Sequence, residues 1–205
     1  MDRTLGKILA FPAPTLLIAS VVIVSLVAWL VQPLLRALML NPYRVWNKGE
    51  VHRLLTAGWV HTDASHLAFN MITLYFFAED TMRVLGSVRF LALYISAVPV
   101  SFIPTTLRYL RNPNYSSLGA SGAVTAVLFS AILLYPNLKL ALFFIPIPIP
   151  GIWFALAYLV YSMWASKRSG DGINHYAHFS GALYGALFTY VFEPARVERT
   201  VKSFL

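Results

Sequence analysis

Residues 112–138 read NPNYSSLGASGAVTAVLFSAILLYPNL, 27 in a row without a charged side chain. A bilayer core about 30 Å thick asks for roughly 20 such residues in one helix. Inside lipid no water is at hand for the backbone, so the segment must bond its own N–H and C=O groups as a helix. The alternation of a barrel strand, with period two, is missing here. Turn formers bracket the stretch, Asn112-Pro113-Asn114 before it and Tyr135-Pro136-Asn137 after it, and they limit the span to about 119–136.

The same signature recurs on both sides. Residues 8–35 hold 28 positions without a charge, 90–107 hold 18, and 140–166 hold 27. Residues 64–78 and 172–192 are shorter but apolar, apart from histidines and Asn70. Six spans are predicted, at about 14–32, 65–83, 89–110, 119–136, 150–167 and 174–192. Pro12 and Pro14 open the first and Gln32-Pro33 closes it. Gly86 separates the second from the third. Pro146, Pro148 and Pro150 cannot all sit in one helix, so they are expected to form an extended connector. Residues 167–171 make the fifth loop. The chain reads as an all-α membrane protein, one transmembrane domain over residues 1–205 with no separate soluble domain. Its longest non-spanning stretch, about 33–63, carries Tyr43, Trp46 and Trp59, which suit a membrane interface. Ala28-Trp29-Leu30 offers no small-residue cleavage site, so no cleavable signal peptide is expected.

Composition agrees. Of 205 residues, 58% are hydrophobic and 12% charged, against about 25% charged in a soluble domain. That is too little charge to coat a soluble globule. The net charge of +8 comes from short basic clusters between apolar runs, which is how membrane-flanking loops look, and no nucleic-acid partner is expected. Six spans divide the 16 lysines and arginines eight and eight between the two sides. The positive-inside rule therefore gives no orientation. Cysteine is absent, which removes disulfides, thiolate metal sites and a catalytic thiol.

Polar groups inside spans are costly, so each needs a partner or a task. His66 and Asn70 lie four apart, on one face of the second span. Gly119-Ala120-Ser121-Gly122 opens the fourth, and Ala177-His178-Phe179-Ser180-Gly181 lies in the sixth. His61 stands at the mouth of the second. A serine between glycines is, alone, most often a packing residue. A histidine alone more often bonds a neighbouring helix or lines a transport path. The combination says more. Ala177, Gly181, Gly185 and Thr189 form one small-residue face, and Gly122, Ala126 and Ser130 form another. Packing those faces brings the Ser121 hydroxyl and the His178 imidazole into one layer. Histidine titrates near 6.5, which suits a base that activates a serine. His66 and Asn70 offer N–H donors for an oxyanion, and the Ser121 backbone N–H at a helix start offers another. Asp63 reads as a helix cap and Glu79 lies at the far end of its span, so the grouping is a Ser–His dyad. No HExxH motif occurs, and His61/His66 and His175/His178 lack zinc-site spacing and an acid. No metal or other cofactor is expected. A transporter or channel is the reading from another class, though a chain without a charged midplane residue suits it less.

These motifs resemble those of the rhomboid family of intramembrane serine proteases, and the resemblance covers most of the chain. Gly119-Ala120-Ser121-Gly122 looks like the GxSG nucleophile motif. Ala177-His178-Phe179-Ser180-Gly181, followed by Gly185, looks like AHxxGxxxG. His66-Leu67-Ala68-Phe69-Asn70 looks like HxxxN, and His61 fits the histidine before it. His52-Arg53-Leu54-Leu55-Thr56 resembles WRxxT, with His52 in place of Trp, and 85–90 resembles the LGxxRF junction. The resemblance implies a six-transmembrane-helix rhomboid-like bundle. It makes Ser121 the nucleophile, His178 the base, and His66, Asn70 and the Ser121 N–H the oxyanion hole, with Arg53 bracing the first loop. It also implies transmembrane protein substrates, with Gly, Ala or Pro near the cut, entering past the fifth span with Trp153, Phe154 and Trp164. Cytoplasmic termini and a plasma (cell inner) membrane follow by the same resemblance; the oligomeric state does not. A non-catalytic rhomboid-like binder is the alternative within the family, and retention of Ser121 and His178 argues against it. Two further departures stand out. Thr125 occupies the place where many members have a tyrosine packed on the histidine, and Met82 the place of a glutamate.

Overall fold

The computed structural model describes residues 12–142, 145–168 and 172–204; the beginning of the first charge-free run and residues 169–171 of the expected fifth loop lie outside them. The first helix, α1 (Pro12–Leu30), turns Leu17, Val21, Ser25 and Ala28 inward. Their spacing of three and four keeps them on one face. Leu16, Ile23 and Leu30 point out and are largely exposed, an arrangement suited to lipid rather than water.

The predicted spans 65–83 and 89–110 form one continuous assignment, α5 (Ala64–Tyr109), broken at Gly86 with φ +77° and ψ 161°. Only glycine takes that conformation without strain, and it makes α5 two arms. Asp63 caps the first, accepting the His66 N–H at 2.9 Å. Pro99 and Pro104 lie inside the second arm, which membrane helices tolerate when neighbours bond the freed carbonyls.

At the centre stands α6 (Ser121–Leu134), buried on every side from Gly122 to Ile132. That is why its sequence shows no polar face. It meets α8 (His175–Phe192) along the two small-residue faces. A Cβ on Gly181 would collide with the Gly122 carbonyl, and one on Gly185 with Ala126. Further along, the Thr189 hydroxyl donates to Ser130 Oγ at 2.8 Å. Close backbone approach with hydroxyl bonds is how helices associate where lipid supplies no hydrophobic drive.

The connector is extended, as its prolines require, and it is paired as a hairpin that the sequence did not show, a small addition to a mostly helical chain: β1 (Lys139–Leu142) runs antiparallel to β2 (Ile145–Pro150), with Lys139 opposite Pro150 and Leu140 opposite Ile149. Prolines at every second position strip N–H groups from one edge of β2 and leave the isoleucine N–H groups on the other. The hairpin leads into α7 (Gly151–Ala165), which buries only Gly151, Ala155, Ser162 and Ala165 among its fully enclosed residues. Trp153, Leu156, Val160 and Trp164 face outward. A final amphipathic helix, α9 (Pro194–Lys202), buries Val197 and Thr200 and hangs from the end of α6 through Thr200 Oγ1 on the Leu133 carbonyl, 2.8 Å.

Among the described residues, two helices are long and apolar enough to cross a membrane, residues 13–30 and 64–109; α6 and α7 are shorter and apolar. The stretch 33–63, for which the sequence suggested only an interfacial setting, holds three short helices, α2 (Gln32–Leu38), α3 (Pro42–Lys48) and α4 (Arg53–Thr56), and a 3-10 turn at Ala57–Trp59.

Candidate functional site

The short helices are held by one buried cation. Arg53 donates to the Arg36 and Met39 carbonyls at 2.7 and 2.8 Å and to Glu50 at 2.5 Å. Hydrogen bonds from Arg44 and Arg53 lower the Glu50 carboxyl to about 2. Thr56 Oγ1 adds a bond to the Leu38 carbonyl. The loop so stiffened grips the segment that precedes α6. Leu40 and Ser117 exchange both backbone bonds, and the Gly119 N–H donates to the Ala57 carbonyl at 2.9 Å. Gly119 sits at φ +116°, and the His66 ring lies where its Cβ would be, 2.6 Å from Cε1. Glycine is thus required twice there, for conformation and for space.

His61 completes this anchor. Its ring is fully buried, Nε2 accepts the Ala120 N–H at 3.2 Å, and Nδ1 lies 2.9 Å from Ser25 Oγ. Ser25 gives its own proton to the Trp59 carbonyl, so Nδ1 carries the ring's hydrogen and donates to it. Burial lowers His61 to about 3. This histidine is a neutral strut under the residue before Ser121.

Above these supports lies a cavity of about 860 Å³. Ser121, His178, His66 and Asn70 all line it, with Thr125, Phe154 and Tyr158. The structure thus brings the four expected chemical residues to one space; Arg53, His61, Gly122, Gly181 and Gly185 form its framework. Ser121 opens α6, where the first-turn amides have no acceptor in their own helix. Asn70 is buried and donates one amide hydrogen to the His66 carbonyl at 2.8 Å, which leaves the second for the cavity. His66 Nδ1 lies 3.1 Å from Thr62 Oγ1, whose proton goes to Asp63. Neutral His66 therefore carries its hydrogen on Nδ1, and it donates from Nε2 only as imidazolium. Asp63 itself is held well below the carboxylate range by Ser65, the His66 N–H and Thr62.

His178 lies between two rings. Tyr158 of α7 stacks on it with centroids 6.3 Å apart and planes at 26°, and the His175 ring meets it edge-on at 5.9 Å. Asn174 caps α8, accepting from the Ala177 N–H and from Thr105 Oγ1 while donating to Ser117 Oγ. It ties the helix that carries His178 to the second arm of α5 and to the segment before Ser121. The sequence reading missed Tyr158, Asn174 and Thr62. An asparagine just before an apolar helix is a legible cap signal; Thr62 acts locally, on Asp63 and on His66 four positions on, and Tyr158 acts across space and leaves no spacing to read.

A family profile described as "Rhomboid domain" matches residues 48–195. RHOMBOID-like protein 12, mitochondrial, of Arabidopsis thaliana is 28% identical over 168 residues, 73% of this chain and 50% of that protein. Presenilin-associated rhomboid-like protein, mitochondrial, of Mus musculus is 32% identical over 134 residues, 64% of this chain and 36% of that one. Rhomboid protein 1, mitochondrial, of Saccharomyces cerevisiae is 30% identical over 143 residues, 66% and 40%. The chain spans half or less of the length of these relatives.

Proposed function

The chain belongs to the rhomboid family, and from that premise we propose that it is an intramembrane serine endopeptidase acting on transmembrane proteins. The observation that carries the reading is the convergence of Ser121, His178, His66 and Asn70 on one cavity. In the reaction, Ser121 Oγ attacks a peptide carbonyl as His178 takes its proton. The second Asn70 amide hydrogen and the Ser121 N–H receive the charge that develops on the carbonyl oxygen. His178 then passes its proton to the leaving amine, and water releases the acyl-enzyme by the same steps in reverse. A helical substrate hides its carbonyls, so it must unwind at the cut.

In this proposal six spans cross the membrane, α1, the two arms of α5, α6, α7 and α8, within one domain over residues 1–205. The outward apolar side chains of α1, α7 and α8 support it. The relatives carry mitochondrial names, so the expectation of a plasma membrane gives way to the coarser statement that this is an integral membrane protein.

A serine-directed fluorophosphonate probe tests the site. The detergent-solubilised protein should be labelled and the Ser121→Ala variant should not; equal labelling of both would remove Ser121. Cleavage of a model transmembrane substrate should stop in His178→Ala, and equal turnover in that variant would remove the dyad.

A further inference from the structure

Thr125 stands four residues after Ser121, where the resemblance led to the expectation of a tyrosine packed on the histidine. Its side chain is too short for that. It donates its hydroxyl hydrogen to the Ser121 carbonyl at 2.7 Å. The ring comes instead from another helix. Tyr158, 37 positions after Ser121 in the chain, lays its face on His178 at 6.3 Å and 26°, inside the 4.5–7 Å range of offset stacks. Its hydroxyl lies 3.3 Å from Thr125 Oγ1. Since Thr125 has given its proton to Ser121, Tyr158 is the donor of that bond. Phe154 also stacks on the Tyr158 ring, at 5.7 Å and 29°, and Phe129 tilts against it at 5.8 Å. The tyrosine is thus fixed by α6 and α7 together and touches both members of the dyad, His178 by its face and Ser121 through Thr125.

We propose that Tyr158 is the positioning residue of the base: its ring holds the His178 imidazole in the plane that faces Ser121, a task moved from α6 to α7 by the pair Thr125 and Tyr158. This rests on the protease reading above. It has a structural consequence. The fully enclosed residues of α7 are small, Gly151, Ala155, Ser162 and Ala165, while Trp153, Leu156, Val160 and Trp164 are turned outward. The ring that orients His178 is carried by a helix that docks through these small residues and through Phe154, Tyr158 and Leu159. His178 is held for catalysis when α7 is docked and loses that restraint when α7 moves away.

The test uses the full-length protein in detergent and three variants. Tyr158→Phe keeps the ring, Tyr158→Leu removes it, and Tyr158→Leu combined with Thr125→Tyr returns a ring from α6. In Tyr158→Leu, kcat on a model transmembrane substrate should fall about tenfold or more with KM little changed, since a base out of plane affects the transition state and not binding. Tyr158→Phe should stay within about threefold, and the double variant should recover most of the loss. A readout without turnover accompanies these. The His178 ring protons in ring-labelled histidine spectra should lose their ring-current shift in Tyr158→Leu and keep it in Tyr158→Phe. Wild-type kcat in Tyr158→Leu, a loss in Tyr158→Phe equal to that in Tyr158→Leu, or a double variant with no recovery despite normal melting would each overturn the proposal. If the wild type neither cleaves nor takes the serine probe, the protease reading falls, and an unshifted His178 resonance would then show the stacking to be absent as well.

Discussion

Asn70 spends one amide hydrogen on the His66 carbonyl of its own helix at 2.8 Å, and that bond sets where the other points. An oxyanion donor must be held before the charge appears, because reorienting it during reaction cancels the gain. The proposed role predicts that Asn70→Ala lowers kcat on a model substrate by about tenfold and changes KM less than about twofold, as expected for one of several donors. Steady-state kinetics on the purified variant decides it, and a change confined to KM would contradict the role. At this scale the sequence was informative where chemistry forces a residue type. Ser121, His178, His66 and Asn70 are polar groups in apolar runs, and their cost marks them. Tyr158 and Thr62 carried no such mark. An aromatic residue in an apolar helix and a threonine in a loop are ordinary, and only the fold shows what they face.

Between α6 and α8 the contact is backbone against backbone. A side chain on Gly185 would meet the Cα and carbonyl carbon of Ala126 at 2.6 and 2.7 Å, and neither atom can swing aside. Overpacking a core costs about 1–3 kcal/mol where side chains can adjust, so Gly185→Val belongs at the upper end of that range or beyond it. Its melting temperature in detergent should fall well below the wild type's, with probe labelling lost in parallel. Leu187→Ala, on the same helix but 60% exposed, should melt as the wild type does. Comparable melting of the two variants would mean that the seam is not where the stability lies. The seam was readable because small residues repeat at helical spacing on both partners. The hairpin and the three short helices of 32–56 were not. Those helices have four to seven residues, too few for a periodic signal, and they are defined by bonds to distant groups such as Arg53 on the Met39 carbonyl and Leu40 on Ser117. The alternating prolines of β2 excluded a helix but gave no partner strand.

Taken as one body, the molecule ties the 33–63 loop to the segment before Ser121 through His61, and that tie makes stability depend on pH. The neutral ring accepts the Ala120 N–H, and protonation at Nε2 would abolish the bond and place a charge in a fully buried site. In the folded chain His61 is lowered from its ordinary 6.5 to about 3. Above pH 6.5 both states hold it neutral and no dependence arises. Between 6.5 and about 3 the unfolded chain binds a proton that the folded chain refuses, so stability is lost as pH falls through that window, at about 1.4 kcal/mol per pH unit for one group. Glu50, lowered from 4.5 to about 2 by its arginines, acts with the same sign but in a lower window. Over pH 4.5–6.5 the two can therefore be separated. Melting curves in detergent across that interval should show the wild type losing stability with acid more steeply than His61→Asn, which keeps an acceptor for Ala120 but does not titrate. The variant should start lower at pH 7, having a poorer fit, and the gap between the two should narrow as pH falls. Parallel curves would show that the titration of His61 does not set the acid dependence. Narrowing with activity lost ahead of unfolding would show the tie failing first at Ala120, one residue from Ser121, as the bond geometry requires.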